Sequence, residues 1–197
     1  MHIQIKSSRG VELIPDETIF LTERKIFIEG EINQIVACQF MRKVMYLNND
    51  DHKSPITVFI NTQGGEINAG MLIYDVIQSS IAPLKLVCIS QAYSMGAVIF
   101  AGGKNGRCML PNSELMIHEP LLGSRIGGNS SSIKSISEIL NETKNKLTAI
   151  LSKHTGQKIS VIEEAIRYDH YFTPEEAISF GLCDEITDFG NIIKGLN

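Results

Sequence analysis

The stretch from Leu86 to Ala101, LVCISQAYSMGAVIFA, most limits what this chain can fold into. Leu86–Ile89 is an apolar, partly β-branched run of the kind that forms a buried strand. Met95–Ala101 is small and apolar and suits a buried helix. Ser90 to Gly96 forms the junction between them. A helix N-terminus presents free backbone N–H groups and the positive end of a dipole, so it favours an alkoxide or a nearby oxyanion. Ser94 is therefore a candidate nucleophile. Capping of the following helix by Ser94 or Ser90 is the commoner role for a serine, and on this stretch alone both readings stand.

The flanking pattern places the junction in a larger order. Glu23–Glu29 alternates and predicts a strand, Asn33–Leu47 has helical apolar spacing, and Asn48–Lys53 is a polar loop. Pro55–Asn61 predicts a second strand. Ile67–Gln78 predicts a helix with Met71, Leu72, Tyr74, Val76 and Ile77 on its apolar face. Strand and helix thus alternate up to Ala101, which predicts an α/β domain built from right-handed crossovers. Arg107–Leu110 and Glu114–Ile117 read as short extended segments. A Gly- and Ser-rich stretch, Gly123–Ser132, then precedes one long helix from Ile133 to about His154. That helix is long for a globular fold, with Ile136, Ile139, Leu140, Leu147, Ile150 and Leu151 on one face, and such a helix often projects to meet a partner. Ser160 is expected to cap a short helix to about Ile166, and 168–172 is expected to be extended. Thr173 as cap, Pro174 at the first position and Glu175-Glu176 behind it start a further helix that Gly181 ends. Leu182–Ile186 is the last expected strand. Residues 1–20 read as a flexible arm, with a hairpin around Ser8-Arg9-Gly10, and residues 188–197 as a loose tail. Neither a repeat nor a linker divides the chain, so residues 1–197 are expected to form a single domain.

Composition narrows the function. The 197 residues carry a net charge of −4, which argues against the clustered basic face that nucleic-acid binding needs. No apolar run reaches the roughly 18 residues of a membrane span, and MHIQIKSSRG lacks the apolar core of a signal peptide. Cys38, Cys88, Cys108 and Cys183 are scattered singly among apolar neighbours, without metal-ligand spacing, and read as reduced core residues. A cytoplasmic location is expected.

A serine nucleophile needs a base, and the base an orienting acid. Of the five histidines, His118 follows an expected buried strand directly, with Pro120 behind it. His170, beside Asp169, is a weaker candidate. Asp169 itself stands among Tyr168, His170, Tyr171 and Phe172, an apolar-aromatic setting in which a carboxylate needs a partner. Gly64-Gly65, after the second strand, can offer backbone N–H groups to an oxyanion or a phosphate, or simply form a tight turn. The spacing matches neither a phosphate-binding loop nor a dinucleotide fingerprint.

Taken together, these residues resemble the ClpP family, the proteolytic subunits of ATP-dependent Clp proteases within the crotonase-like superfamily. The likeness runs from about Arg24 to Ile186. It is carried by INTQGGEINAGMLIYD (60–75), SQAYSMGAVIFAGGKNGRCMLPNSELMIHEP (90–120), HTGQ (154–157) and YDHYFTPEEAISFGLCDEI (168–186). The resemblance implies a crotonase-like fold of repeated β-β-α and βα units, with residues 123–154 as a protruding handle. It implies Ser94 as nucleophile, His118 as general base, Asp169 as the acid that orients it, and Gly65 and Met95 as the oxyanion hole. Gly64, Glu66 and Ile67, with Leu121, Leu122, Gly123, Ser124 and Arg125, would hold a substrate peptide as an added strand. The resemblance further implies two stacked heptameric rings, a tetradecamer, fed with unfolded polypeptide by an AAA+ Clp ATPase such as ClpX, ClpA or ClpC, and hydrolysis without a cofactor. The chain departs from the usual family pattern at Thr57, Gln63, Tyr93, Glu119, Arg167 and Tyr168. Those at Thr57, Gln63, Tyr93 and Arg167 motivate a second reading, a weak or regulatory ring subunit working with an active ClpP paralogue. A crotonase-type acyl-CoA enzyme would not need the Ser94, His118 and Asp169 set.

Overall fold

The computed structural model describes residues 1–7, 10–123 and 128–194. Its centre is a parallel sheet with one forked strand. β1 (His2–Ser7) and β2 (Gly10–Pro15) make an antiparallel hairpin, and α1 (Asp16–Thr22) leads into β3 (Lys25–Ile32). Then follow α2 (Gln34–Asp50), β4 (Ile56–Gly65), α3 (Ile67–Ser79), β5 (Leu84–Tyr93) and α4 (Met95–Ala101). β6 (Arg107–Met109), β7 (Glu114–Ile117), the long α5 (Ser130–Thr155), α6 (Ile159–Ala165), β8 (His170–Phe172), α7 (Pro174–Phe180), β9 (Glu185–Ile186) and α8 (Phe189–Lys194) complete the order.

The main sheet runs β3-β4-β5-β6-β9, with β7 and β8 branching from it. β5 explains the branch. One of its edges pairs with β4, while its other edge pairs first with β6, through Leu86–Cys88, and then with β7, through Gln91–Tyr93. β8 closes the branch antiparallel to β7. The branch lies at the C-terminal end of β5, where open α/β sheets place their sites. The core is built from the alternating inward residues of β3, β4 and β5, among them Ile26, Ile28, Val58, Ile60, Leu86 and Cys88, and from helix faces that include Phe40, Ile73 and Ile77. All seven residues of α4 are buried within it.

Several boundaries differ from the expected ones. α1 occupies part of the expected arm, and α8 occupies most of the expected tail. α2 runs to Asp50 because Asn48 is not a loop residue. Its Nδ2 donates to Val44 O at 2.8 Å, and its Oδ1 accepts from the Ile81 and Ala82 amides at 3.0 and 2.9 Å. β5 extends to Tyr93 because pairing with β7 rewards the extension. On α3, Ala69, Gly70, Ile73, Tyr74 and Ile77 are buried, whereas Met71, Leu72 and Val76 are only partly so. α6 begins at Ile159 with Lys158 as its N-cap, so Ser160 lies inside the helix and caps nothing. The α7 start forms as expected: Thr173 and Glu176 make a reciprocal capping box with Pro174 at the first position.

Candidate active site

Ser94 sits between β5 and α4 at φ 54° and ψ −118°, in a region that non-glycine residues avoid. Such a conformation costs on the order of 1–3 kcal/mol and persists only where packing over-determines it. Here the Ser94 amide donates to Met116 O at 2.8 Å, and the Ala97 amide donates to Ser94 O at 3.0 Å. The hydroxyl makes no cap hydrogen bond, and Ser90 lies inside β5. The capping reading therefore fails for both serines.

The hydroxyl is turned to a histidine instead. His118 Nε2 lies 2.8 Å from Ser94 Oγ, and His118 Nδ1 lies 3.0 Å from Asp169 Oδ1. With the carboxylate oxygen accepting, His118 Nδ1–H is the donor to Asp169, and this tautomer leaves Nε2 to accept from the serine hydroxyl. His118 follows β7 and Asp169 precedes β8, so the forked end of the sheet carries both to the end of β5. His118 is largely buried, but the Asp169 side chain is 56% exposed. The aromatic setting read around Asp169 is thus not a buried one: Tyr168 and Tyr171 are exposed too. His170 faces elsewhere, its ring stacked on Phe172 at 4.3 Å. Glu119 turns away from His118 to Lys144 on α5, at 2.6 Å.

The Gly64-Gly65 turn packs against the serine. A Cβ on Gly64, at φ +96°, would lie 2.8 Å from Ser94 Cβ and from Tyr93 O. A Cβ on Gly65, at φ +151°, would lie 2.2 Å from Ile32 O. Neither position admits a side chain, so the backbone itself forms this wall. The first amides of α4, those of Met95 and Gly96, have no partner within the helix by construction. Ser94, Gly65 and Met95 together border a cleft of about 250 Å³.

Of the residues expected to hold substrate, Ile67 and Leu121 line this cleft. Gly64 stands behind Ser94. Glu66, Leu122 and Gly123 are exposed and do not line it. Ser124 and Arg125 lie outside the described residues. The sequence reading did not place Gln63, Val98, Met116, Ile117, Pro120, Leu147, Leu151 and Ile166 in the substrate cleft, and with His118 they complete the lining. Leu147 and Leu151 carried a signal, as apolar positions of the long helix, but one that reads equally as core. A larger cavity of about 490 Å³ between α1, β3 and α2 lies away from Ser94, so size does not locate the chemistry.

Tyr93, beside Ser94, donates its phenol to Glu114 Oε1. This bond to a carboxylate, with burial second, pushes its pKa up to about 12. Its ring edge meets Tyr171, with centroids 5.7 Å apart. Among the described residues no His, Cys, Asp and Glu cluster could hold a metal ion, and no helix is long and apolar enough to cross a membrane.

Comparison with known proteins agrees with this chemistry. A family model for Clp protease matches residues 9–189. The chain is 36% identical over 188 residues to the protein named ATP-dependent Clp protease proteolytic subunit 1 from Salinibacter ruber, across 95% of this chain and 80% of that protein. The chain accordingly belongs to the Clp protease family and is a serine-type peptidase of it.

Proposed function

We propose that Ser94, His118 and Asp169 act as nucleophile, general base and orienting acid in the hydrolysis of unfolded polypeptide. The observation that carries this reading is the unbroken pair of contacts from Ser94 Oγ through His118 to Asp169, at 2.8 and 3.0 Å. Ser94 Oγ attacks the peptide carbonyl carbon as its proton passes to His118 Nε2. The developing oxyanion lies toward the Gly65 and Met95 amides, which we assign as its donors. His118 then gives its proton to the leaving amine. Water, deprotonated by the same ring, releases the acyl group and restores the serine. No cofactor enters these steps. The apolar walls from Ile67, Val98, Leu147 and Leu151 favour an apolar side chain beside the scissile bond.

The reading extends to assembly. Two stacked heptameric rings would enclose the sites, with α5 as the joining handle, and an AAA+ Clp ATPase such as ClpX, ClpA or ClpC would deliver substrate. The N-terminal hairpin and α1 would form part of a single domain with the rest of the chain, in a cytoplasmic protein. Labelling with a fluorophosphonate probe tests the chemistry. The wild type should label, alone or after mixing with a ClpP paralogue, and Ser94→Ala and His118→Ala should not. A wild type that never labels would return the chain to the regulatory-subunit reading.

A further inference from the structure

Three strands bring the Ser94 set together, and a second row of side chains ties the same three strands. Tyr93 on β5 is paired with Met116 on β7, and Met116 with Tyr171 on β8. Paired residues share a face of a sheet, and so do residues two apart on one strand. Tyr93, Met116 and Tyr171 therefore line up across the fork, with Glu114 two residues back on β7. His118 and Asp169 continue that face as the strands end.

Tyr93 touches both neighbours. Its hydroxyl donates to Glu114 on β7, and its ring edge meets Tyr171 on β8 at an interplanar angle of 89°. β8 has only three residues and, among the described residues, pairs with β7 alone. Asp169 stands just before this short strand, bonded to His118 but more than half exposed. An acid held so lightly needs its strand fixed from elsewhere. We propose that Tyr93, braced by Glu114 and Tyr171, is a positioning residue that fixes β8 against the nucleophile strand and so holds Asp169 on His118.

The inference rests on the Ser94–His118–Asp169 reading, and one experiment separates the two. Fluorophosphonate labelling rates, kcat and KM on a fluorogenic peptide, and melting temperature are measured for the full chain. Variants are Ser94→Ala as the control for the triad, Tyr93→Phe, which removes the hydroxyl and keeps the ring, Tyr171→Leu, which removes the ring edge, and the two tyrosine variants each in an Asp169→Asn background. Tyr93→Phe and Tyr171→Leu should each lower kcat and the labelling rate about 3- to 10-fold, with KM within about 2-fold of wild type, the pattern of a misplaced catalytic group. Melting should not move. In the Asp169→Asn background neither substitution should lower the rate further, because the group they position is gone. A wild-type kcat in both variants would overturn the brace. So would a change confined to KM, or an equal fall in the Asp169→Asn background. Labelling of Ser94→Ala as fast as wild type would instead overturn the triad reading itself, and the brace with it.

Discussion

The two helices that serve the cleft, α4 and α5, are built on opposite plans. α4 has seven residues and all are buried. α5 has 26 residues, of which Leu147, Thr148 and Leu151 are buried. α4 is fixed from every side, and this is what can hold Ser94 at a positive φ. α5 lends its C-terminal half to the cleft wall, while its N-terminal half stands away from the core, with Ile133 and Ile139 50% and 60% exposed. The contrast separates precision from reach: Ser94 is set by packing within the chain, and the free half of α5 keeps apolar surface exposed. Substitutions near the first helix should therefore change rate or folding. Substitutions at the free end of the second should change neither.

The largest effect expected on the nucleophile side is that of Asp169→Asn. An amide at this place offers a donor to Nδ1, favours the wrong tautomer of His118 and leaves the fold intact. Acylation by a fluorophosphonate should slow on the order of 10²- to 10⁴-fold. The melting temperature should stay within a degree or two, since the exposed carboxylate contributes little to the core. Unchanged labelling would show that Asp169 is not the acid.

Next comes Gly65→Ala. The added Cβ would stand 2.2 Å from Ile32 O, so β3 and β4 must separate where they end beside Ser94. The cost should be about 3 kcal/mol or more, read as a lowered urea midpoint, with a loss of labelling that exceeds the loss of fold. A variant of wild-type stability would mean that the turn relaxes easily, and the rigid side of the comparison would fail.

Much of the nucleophile side was legible in the sequence, for a physical reason. An apolar run that stops at a small polar junction and resumes as small apolar residues has few ways to pack. That pattern offered Ser94 alone, with capping as the commoner role, and the family resemblance joined it to His118 and Asp169. The forked pairing of β5 was not legible, because it depends on which of two later strands reaches which half of one edge. Asn48 was misread for a related reason. Its role as a latch for Ile81 and Ala82 lies more than thirty residues away along the chain. The partial exposure of Asp169 was missed because aromatic neighbours in sequence say nothing about which of them face water. Leu147 and Leu151 were read as apolar, but no periodicity distinguishes a core face from a cleft wall.

The C-terminal end of α5 gives a smaller effect, with a definite sign. His154, near the end of α5, lies 2.8 Å through Nε2 from Tyr74 Oη on α3, and Arg107 Nη1 donates to His154 O at 3.2 Å. Burial, and then the charges of Lys153 and Arg107, hold the imidazole below its ordinary value of 6.5. The unfolded chain therefore binds a proton more readily than the folded one as pH falls below 6.5. Stability is full above that value and is lost on acidification through the folded-state pKa. The urea midpoint should fall between pH 7.5 and about 5.5, and His154→Gln, which keeps an acceptor for Tyr74, should flatten the decline. The same slope in the variant would assign the pH dependence to another group and detach the C-terminal end of α5 from it.

The smallest effect on the fold should come from the free end of α5. Ile139→Ser removes an apolar group that is already 60% exposed, so the chain's intrinsic stability should change by no more than about 0.5 kcal/mol. The same change should have a large effect on mass if α5 joins one ring to another. Two rings meeting through many copies of the helix would lose apolar contact at each one. Light scattering after size exclusion should then show the variant shifted to smaller species, while urea unfolding of the dissociated chain superimposes on wild type. A lowered midpoint in the dissociated chain would mean that Ile139 packs within its own subunit, and the division of labour between the two helices would have to be redrawn. An unchanged mass with an unchanged midpoint would leave that division standing but move the ring contact to another face of α5, where Ile133 on the same exposed half is the next residue to replace.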